Sequence, residues 1–214
     1  MKISELYERY HIMPQLKTHM LRVAAVGKLV AEAWKSECDA DFATQLCLVH
    51  DLGNIVKFDL TEKSRGSKFG EIDNLQHWQD IQSRYWKKYG HDAHDATTGI
   101  LQEAKLEKFI DAINEEEELY FAEATSEKLA LANPGSIILL YADCRVTPAG
   151  VSSYRVRVND LAERYGAKSE SWTKWTYWFE DWIQTQVNID LSSITERSVT
   201  PMFDELLESE LQSL

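Results

Sequence analysis

Four ionisable residues stand in stretches otherwise built for a protein core. His19 lies within "PQLKTHMLRVAAVGKLVAEAW", His50 and Asp51 end the apolar run "FATQLCLVHDL", and Asp143 follows "SIILLYA". A lone charge in an apolar interior is costly, and such groups persist where they are paired or bound to a metal. Two neutral imidazoles and two carboxylates make a mixed nitrogen and oxygen ligand set suited to a divalent first-row ion, whose charge the carboxylates partly offset. The alternative is a polar network inside the core. In that case His19 is a hydrogen-bonded core histidine, His50 sits at a helix C-terminus favoured by the dipole, Asp51 is its partner, and Asp143 pairs with Arg145 or Arg22.

Convergence requires helices that pack around one point. From Leu16 to Trp34 the apolar positions Leu16, Met20, Val23, Gly27, Val30, Ala31 and Trp34 recur at spacings of three and four, which predicts an amphipathic helix with His19 at the edge of its stripe and Arg22 one turn on. "FATQLCLVHDL", apolar nearly all round, reads as a central helix capped by Asp39 or Asp41 and stopped at Gly53 as a C′ residue. "HDATTGILQEAKLEKFIDAINEEEELYFAEA" predicts one or two helices. "NPGSIILLYADCRV" predicts another, with Asn133 as cap and Pro134 in the first turn. Between them, "EKSRGSKFGE" reads as an exposed loop and "LQHWQDIQSRYWKKYG" as a short aromatic helix, an insertion over one face.

Near the C-terminus "SESWTKWTYWFEDWIQTQV" brings Trp172, Trp175, Trp178, Phe179 and Trp182 to one side, a stripe that packs a terminal helix onto the domain or forms a homodimer face. The tail from Ser192 to Leu214 contains one more helix. No period-2 strand pattern stands out, so the fold class is all-α, a helical bundle with additional C-terminal helices. At 214 residues, one main core is the default.

Composition narrows the partners. The net charge of −12 repels a nucleic-acid backbone, so polymeric nucleic acid is disfavoured. Cys38, Cys47 and Cys144 form no C-x-x-C pair, as expected of reduced thiols in a cytoplasmic protein. The charged N-terminus lacks the apolar centre of a secretory signal, and no run is long and apolar enough to span a membrane.

The motifs together resemble the HD-domain superfamily of metal-dependent phosphohydrolases. "MPQLKTHMLRVA" is similar to that family's opening P-x-L-x-x-H-x-x-R-V-A helix, "VHDLGN" to its HD signature, and "YADCRV" to its closing A-D-x-R-V helix. The resemblance covers roughly residues 13 to 150. It implies an HD-like metal-binding domain over 1–150, with 151–214 an extension packed on the same domain. It also implies that His19, His50, Asp51 and Asp143 bind a divalent ion (Mn, Fe, Ni, Zn, Co or Mg), with Asp51 also orienting the catalytic water. "HDATTGILQEAKL" resembles the segment of members with extra histidines, which implies a second-metal or substrate role for His94 and, one turn earlier, His91.

Two departures from the family follow. Asn54 occupies a position near which some members carry a lysine or glutamate, and an asparagine cannot serve as acid or base. No further histidine follows the His94 segment, where Glu115 or Glu118 is the available substitute. Arg22 is the phosphate-binding candidate, with Lys57, Lys63, Arg65 and Lys68 behind it. The resemblance implies release of phosphate from a small phosphorylated molecule such as a nucleotide. The alternative is a catalytically weak metal- and nucleotide-binding regulatory module.

Overall fold

The computed structural model describes residues 1–61, 72–164 and 170–211. The expected loop at 62–71, with Lys63, Arg65 and Lys68, lies outside these residues.

The bundle centres on three helices that pack pairwise: α2 (Pro14–Glu32), α3 (Ala40–Val49) and α8 (Pro134–Asp143). Their caps follow from the sequence. Pro14 opens α2 at its first turn, where its missing N–H removes nothing. Asp39 accepts the Phe42 N–H at 2.8 Å to start α3. Asn133 accepts the Gly135 N–H at 2.8 Å to start α8, with Pro134 next. Every residue of α8 from Gly135 to Ala142 is buried, as its unbroken apolar run requires.

Around this trio lie α1 (Ile3–Arg9), α4 (Leu75–Tyr89), α5 (Ala93–Glu103), α6 (Ile110–Phe121) and α7 (Ser126–Leu131), with α6 against α8. The stretch read as one or two helices is therefore two, separated at Lys105, whose φ of 58° no helix accommodates. After α8 the chain turns through a small antiparallel hairpin, β1 (Val146–Thr147) with β2 (Gly150–Val151), then α9 (Tyr154–Arg164) and α10 (Glu170–Gln186). Strands this short carry no alternation to read in the sequence. The tail forms α11 (Glu196–Val199) and α12 (Phe203–Glu208) rather than a single helix, interrupted by a 3₁₀ turn at Thr200–Met202 that contains Pro201.

The aromatic stripe of α10 is mostly internal. Trp175, Phe179, Tyr154 and Tyr141 form a ladder of rings with successive centroids 5.2, 6.2 and 5.3 Å apart, linking α10 through α9 to α8. Trp178 departs from the expected grouping and is 38% exposed. Among the described residues no helix is long and apolar enough to cross a membrane.

Gly53 behaves differently from a helix-stopping C′ glycine. Helix α3 ends at Val49, and Gly53 has an ordinary negative φ of −88° at the start of a 3₁₀ turn, Asn54–Lys57. Its value is close approach: a β-carbon on Gly53 would lie 2.4 Å from the Thr97 nitrogen of α5. The Gly53 N–H also donates to Thr97 Oγ1 at 2.9 Å. Gly53→Ala is expected to force α5 away and to cost about 2 kcal/mol, as overpacking does. Urea unfolding would check this, and an unchanged midpoint and slope would contradict it.

Candidate metal centre

The end of α3 is built to aim one histidine nitrogen. His50 follows the last helical residue, and its Nδ1 lies 2.9 Å from the carbonyl oxygen of Cys47. A carbonyl only accepts, so Nδ1 carries the proton and Nε2 presents a lone pair. That Nε2 is buried and has no hydrogen-bond partner among the described residues. It faces Asp51 Oδ2 at 3.6 Å and Asp143 Oδ1 at 3.8 Å, both too long for hydrogen bonds. A lone pair directed at two carboxylates is repelled unless a cation lies between them.

The other ligand types arrive from two more helices. His19 on α2 places Nε2 at 3.0 Å from Asp143 Oδ1 and 3.5 Å from Asp51 Oδ2. The rings of His19 and His50 are 5.6 Å apart. One ligand atom each from His19, His50 and Asp51 falls within a mutual 4.8 Å. Asp143, at the end of α8, stands beside these three, with Oδ1 3.0 Å from His19 Nε2 and 3.8 Å from His50 Nε2. Neither arginine offered as its partner in the polar-network alternative is engaged with it: Arg22 bonds Glu196, and Arg145 bonds Tyr141 and backbone carbonyls.

Electrostatics follow from this crowding. Burial pushes His19 down, but hydrogen bonding and charge from Asp143 and Asp51 outweigh it and raise its pKa to about 9. His50 is raised in the same way, mainly by Asp51, against the same burial effect. Burial pushes Asp51 up, yet His50, Lys57 and His19 hold it at about 2. Asp143 lies well below the carboxylate range because His19 and His50 overcome its burial. The centre therefore attracts positive charge, and a divalent ion fits the donor set, the orphaned Nε2 and the fixed tautomer.

The site opens to solvent. The His50 side chain, at 9% exposure, forms the floor, whereas that of Asp143, at 41%, lies at the mouth. The segment after the HD pair is tied down by α4. Buried Gln82 of α4 donates to the carbonyls of Ile55 and Phe58 at 2.7 and 2.8 Å, and Trp86 Nε1 donates to that of Val56 at 2.9 Å. Asn54 is buried, and Lys57 is exposed at the end of the turn.

The remaining candidates are placed as follows. His94, on the first turn of α5, has Nδ1 3.3 Å from Glu117 Oε2 on α6. His91 is exposed, with its ring 5.0 Å from that of Trp86. Arg22 forks onto Glu196, with Nε and Nη2 each 2.8 Å from Oε1. Glu115 accepts the Asn133 N–H at 3.0 Å, and Glu118 lies 4.0 Å from Lys128 Nζ, so neither is turned to His94 as the sequence expectation had it.

Two glutamates of the same run were overlooked. Glu117 is the neighbour of His94. Glu116 is raised to about 8 by burial and by the negative charge of Asp143, with Asp51 adding to it. Helical spacing held the signal, since Glu116 lies three residues from both Ile113 and Leu119 on the buried face of α6.

No curated protein and no solved structure matches the chain. The sequence profile of the HD domain matches residues 16–133, a span that contains His19, His50 and Asp51 and ends before Asp143. With that match over more than half of its length, the chain belongs to the HD-domain family of metal-dependent phosphohydrolases.

Proposed function

We propose that the protein releases phosphate from a small phosphorylated molecule, a nucleotide or another phosphomonoester, using a divalent ion held by His19, His50, Asp51 and Asp143. The observation that carries this reading is the buried, unpartnered Nε2 of His50, aimed with His19 Nε2 at two carboxylates beneath a solvent-open mouth. A divalent ion bound there supplies acidification of water and neutralisation of phosphoryl charge.

The chain's own residues do the rest. The Cys47 carbonyl fixes the His50 ring, so its ligand nitrogen needs no reorganisation. Asp51, ionised throughout the neutral range, accepts a hydrogen bond from the attacking water and orients it. Lys57, whose charge already reaches Asp51, draws a phosphate to the mouth, whereas the charge of Arg22 is already met by Glu196. His94 and His91 take a second ion or the substrate, with Glu117 beside His94 supporting the first role.

The net charge of −12 supports a small substrate over a polynucleotide, and Cys38, Cys47 and Cys144, none of them in a disulfide among the described residues, support a reducing, cytoplasmic setting. The ring ladder from α10 to α8 supports residues 151–214 as an extension on the domain formed by 1–150. A second reading, a binding module with weak turnover, is favoured by buried Asn54, which can neither give nor take a proton.

The two are separated by incubating the protein with nucleoside phosphates and simple phosphomonoesters in Mn, Fe, Co, Ni, Zn or Mg and measuring released phosphate. The expected result is release that chelation abolishes. Binding without release over long incubation would establish the second reading.

A further inference from the structure

We propose that the C-terminal segment 191–196, which the HD-domain match does not include, is a positioning element that fixes His19 against Asp143 through two arginines. The proposal rests on the metal reading of the site.

The first arginine is Arg22, one helical turn after His19 on α2. Its Nε donates to both carboxylate oxygens of Glu196 at 2.8 and 3.1 Å, and its Nη2 lies 2.8 Å from Oε1. This planar fork defines direction as well as distance. Glu196 Oε2 also accepts the Val151 N–H at 2.9 Å, so one carboxylate ties α2 to the hairpin that follows α8. Gly150 makes the approach feasible: its φ is +133°, and a β-carbon there would meet Glu196 Oε2 at 2.9 Å.

The second is Arg145, two residues after Asp143 and 3% exposed. Its guanidinium donates to the Tyr141 hydroxyl at 2.6 Å and to the carbonyls of Ser152, Leu191 and Ile194 at 2.6, 3.0 and 2.8 Å. From both sides of the 3.0 Å contact between His19 and Asp143, a guanidinium therefore runs back to the same short segment. Metal ligands must hold their distances to within about 0.2 Å, so slack in this clasp falls on the ligand set before it falls on the wider core.

A merely structural tie would change stability without changing the centre. The control is Glu205→Gln, since Glu205 pairs with Lys28 at 2.7 Å and also joins the tail to α2, but nine residues beyond His19. Cobalt(II) alone is titrated into full-length wild type, Glu196→Gln and Glu205→Gln. Affinity, the visible cobalt spectrum and the thermal midpoint of the metal-free protein are recorded for each.

Glu196→Gln is expected to weaken cobalt binding at least tenfold and to alter the visible bands, while Glu205→Gln changes neither. Glu196→Asp, which keeps the charge and shortens the reach, gives a smaller loss in the same direction and serves where the glutamine variant does not fold. Cobalt binding in wild type with the same affinity and spectrum in Glu196→Gln would overturn the proposal. So would unchanged cobalt affinity with tighter inorganic phosphate binding, since Glu196 would then be occupying an anion site at Arg22. No cobalt binding by wild type would defeat the metal reading itself, and this proposal with it.

Discussion

Asp51→Ala is expected to abolish metal-dependent phosphate release, lowering it by roughly 10³-fold or more, while the protein stays folded. Asp51 is assigned two tasks, holding the ion and orienting the water, and alanine performs neither. The fold does not depend on it. Leu48, Val49 and Leu52 around it are fully buried, and Gly53 and Gln82 hold the following turn through contacts that exclude the carboxylate. His19 also keeps its 3.0 Å contact with Asp143. Phosphate release, with thermal unfolding of the metal-free variant as the folding control, checks this. Substantial release surviving in a folded Asp51→Ala protein would remove Asp51 from the mechanism.

The second large effect is on pH. In the metal-free chain His19 holds its proton up to about pH 9, and Glu116 holds one up to about 8. A cation entering the centre must displace such protons, so its affinity is expected to rise about tenfold per pH unit for each proton displaced between pH 6.5 and 8.5. Calorimetric titration in two buffers of different ionisation enthalpy would count the protons released, expected to be one or more per ion at neutral pH. An affinity independent of pH across this window would contradict the electrostatic account.

Stability of the metal-free chain runs the other way. A histidine raised from 6.5 to about 9 contributes stability that is full below pH 6.5 and is lost as pH rises through 9. Glu116, raised from 4.5 to about 8, adds to the same alkaline loss, because the folded chain binds the extra proton. Asp51, lowered from 3.8 to about 2, contributes stability that is present above 3.8 and lost as pH falls through 2. Metal-free protein is therefore expected to be most stable on the acid side of neutrality. A divalent ion moves that optimum upward, because it takes the place of the protons.

The metal-type residues were legible in the sequence for a specific reason. His19, His50, Asp51 and Asp143 interrupt stretches whose apolar character demands burial, and four such interruptions on three helices call for one cause. The helices themselves followed from periodicity, and the starts of two of them from Asp39 and from Asn133 with Pro134. What escaped depends on contacts between distant parts of the chain. Arg22 and Glu196 are 174 positions apart, so nothing local showed that this arginine was already engaged. Gly53 looked like a helix stop because glycine serves there often, whereas its role is set by the backbone of α5. Trp178 lies close to the buried Trp175 and Phe179 in sequence but turns outward, since α10 meets its neighbours over a narrower arc than the stripe suggested.

The central claim is that the four residues hold an ion, and metal content per chain tests it most directly. Elemental analysis of purified wild type and of Asp51→Ala, each incubated with manganese, iron, cobalt, nickel or zinc and then freed of loose ions, is expected to give one or two equivalents in the wild type and loss in the variant. No metal retained by the wild type would mean that His19, His50, Asp51 and Asp143 form a polar network of the core, and would contradict the account.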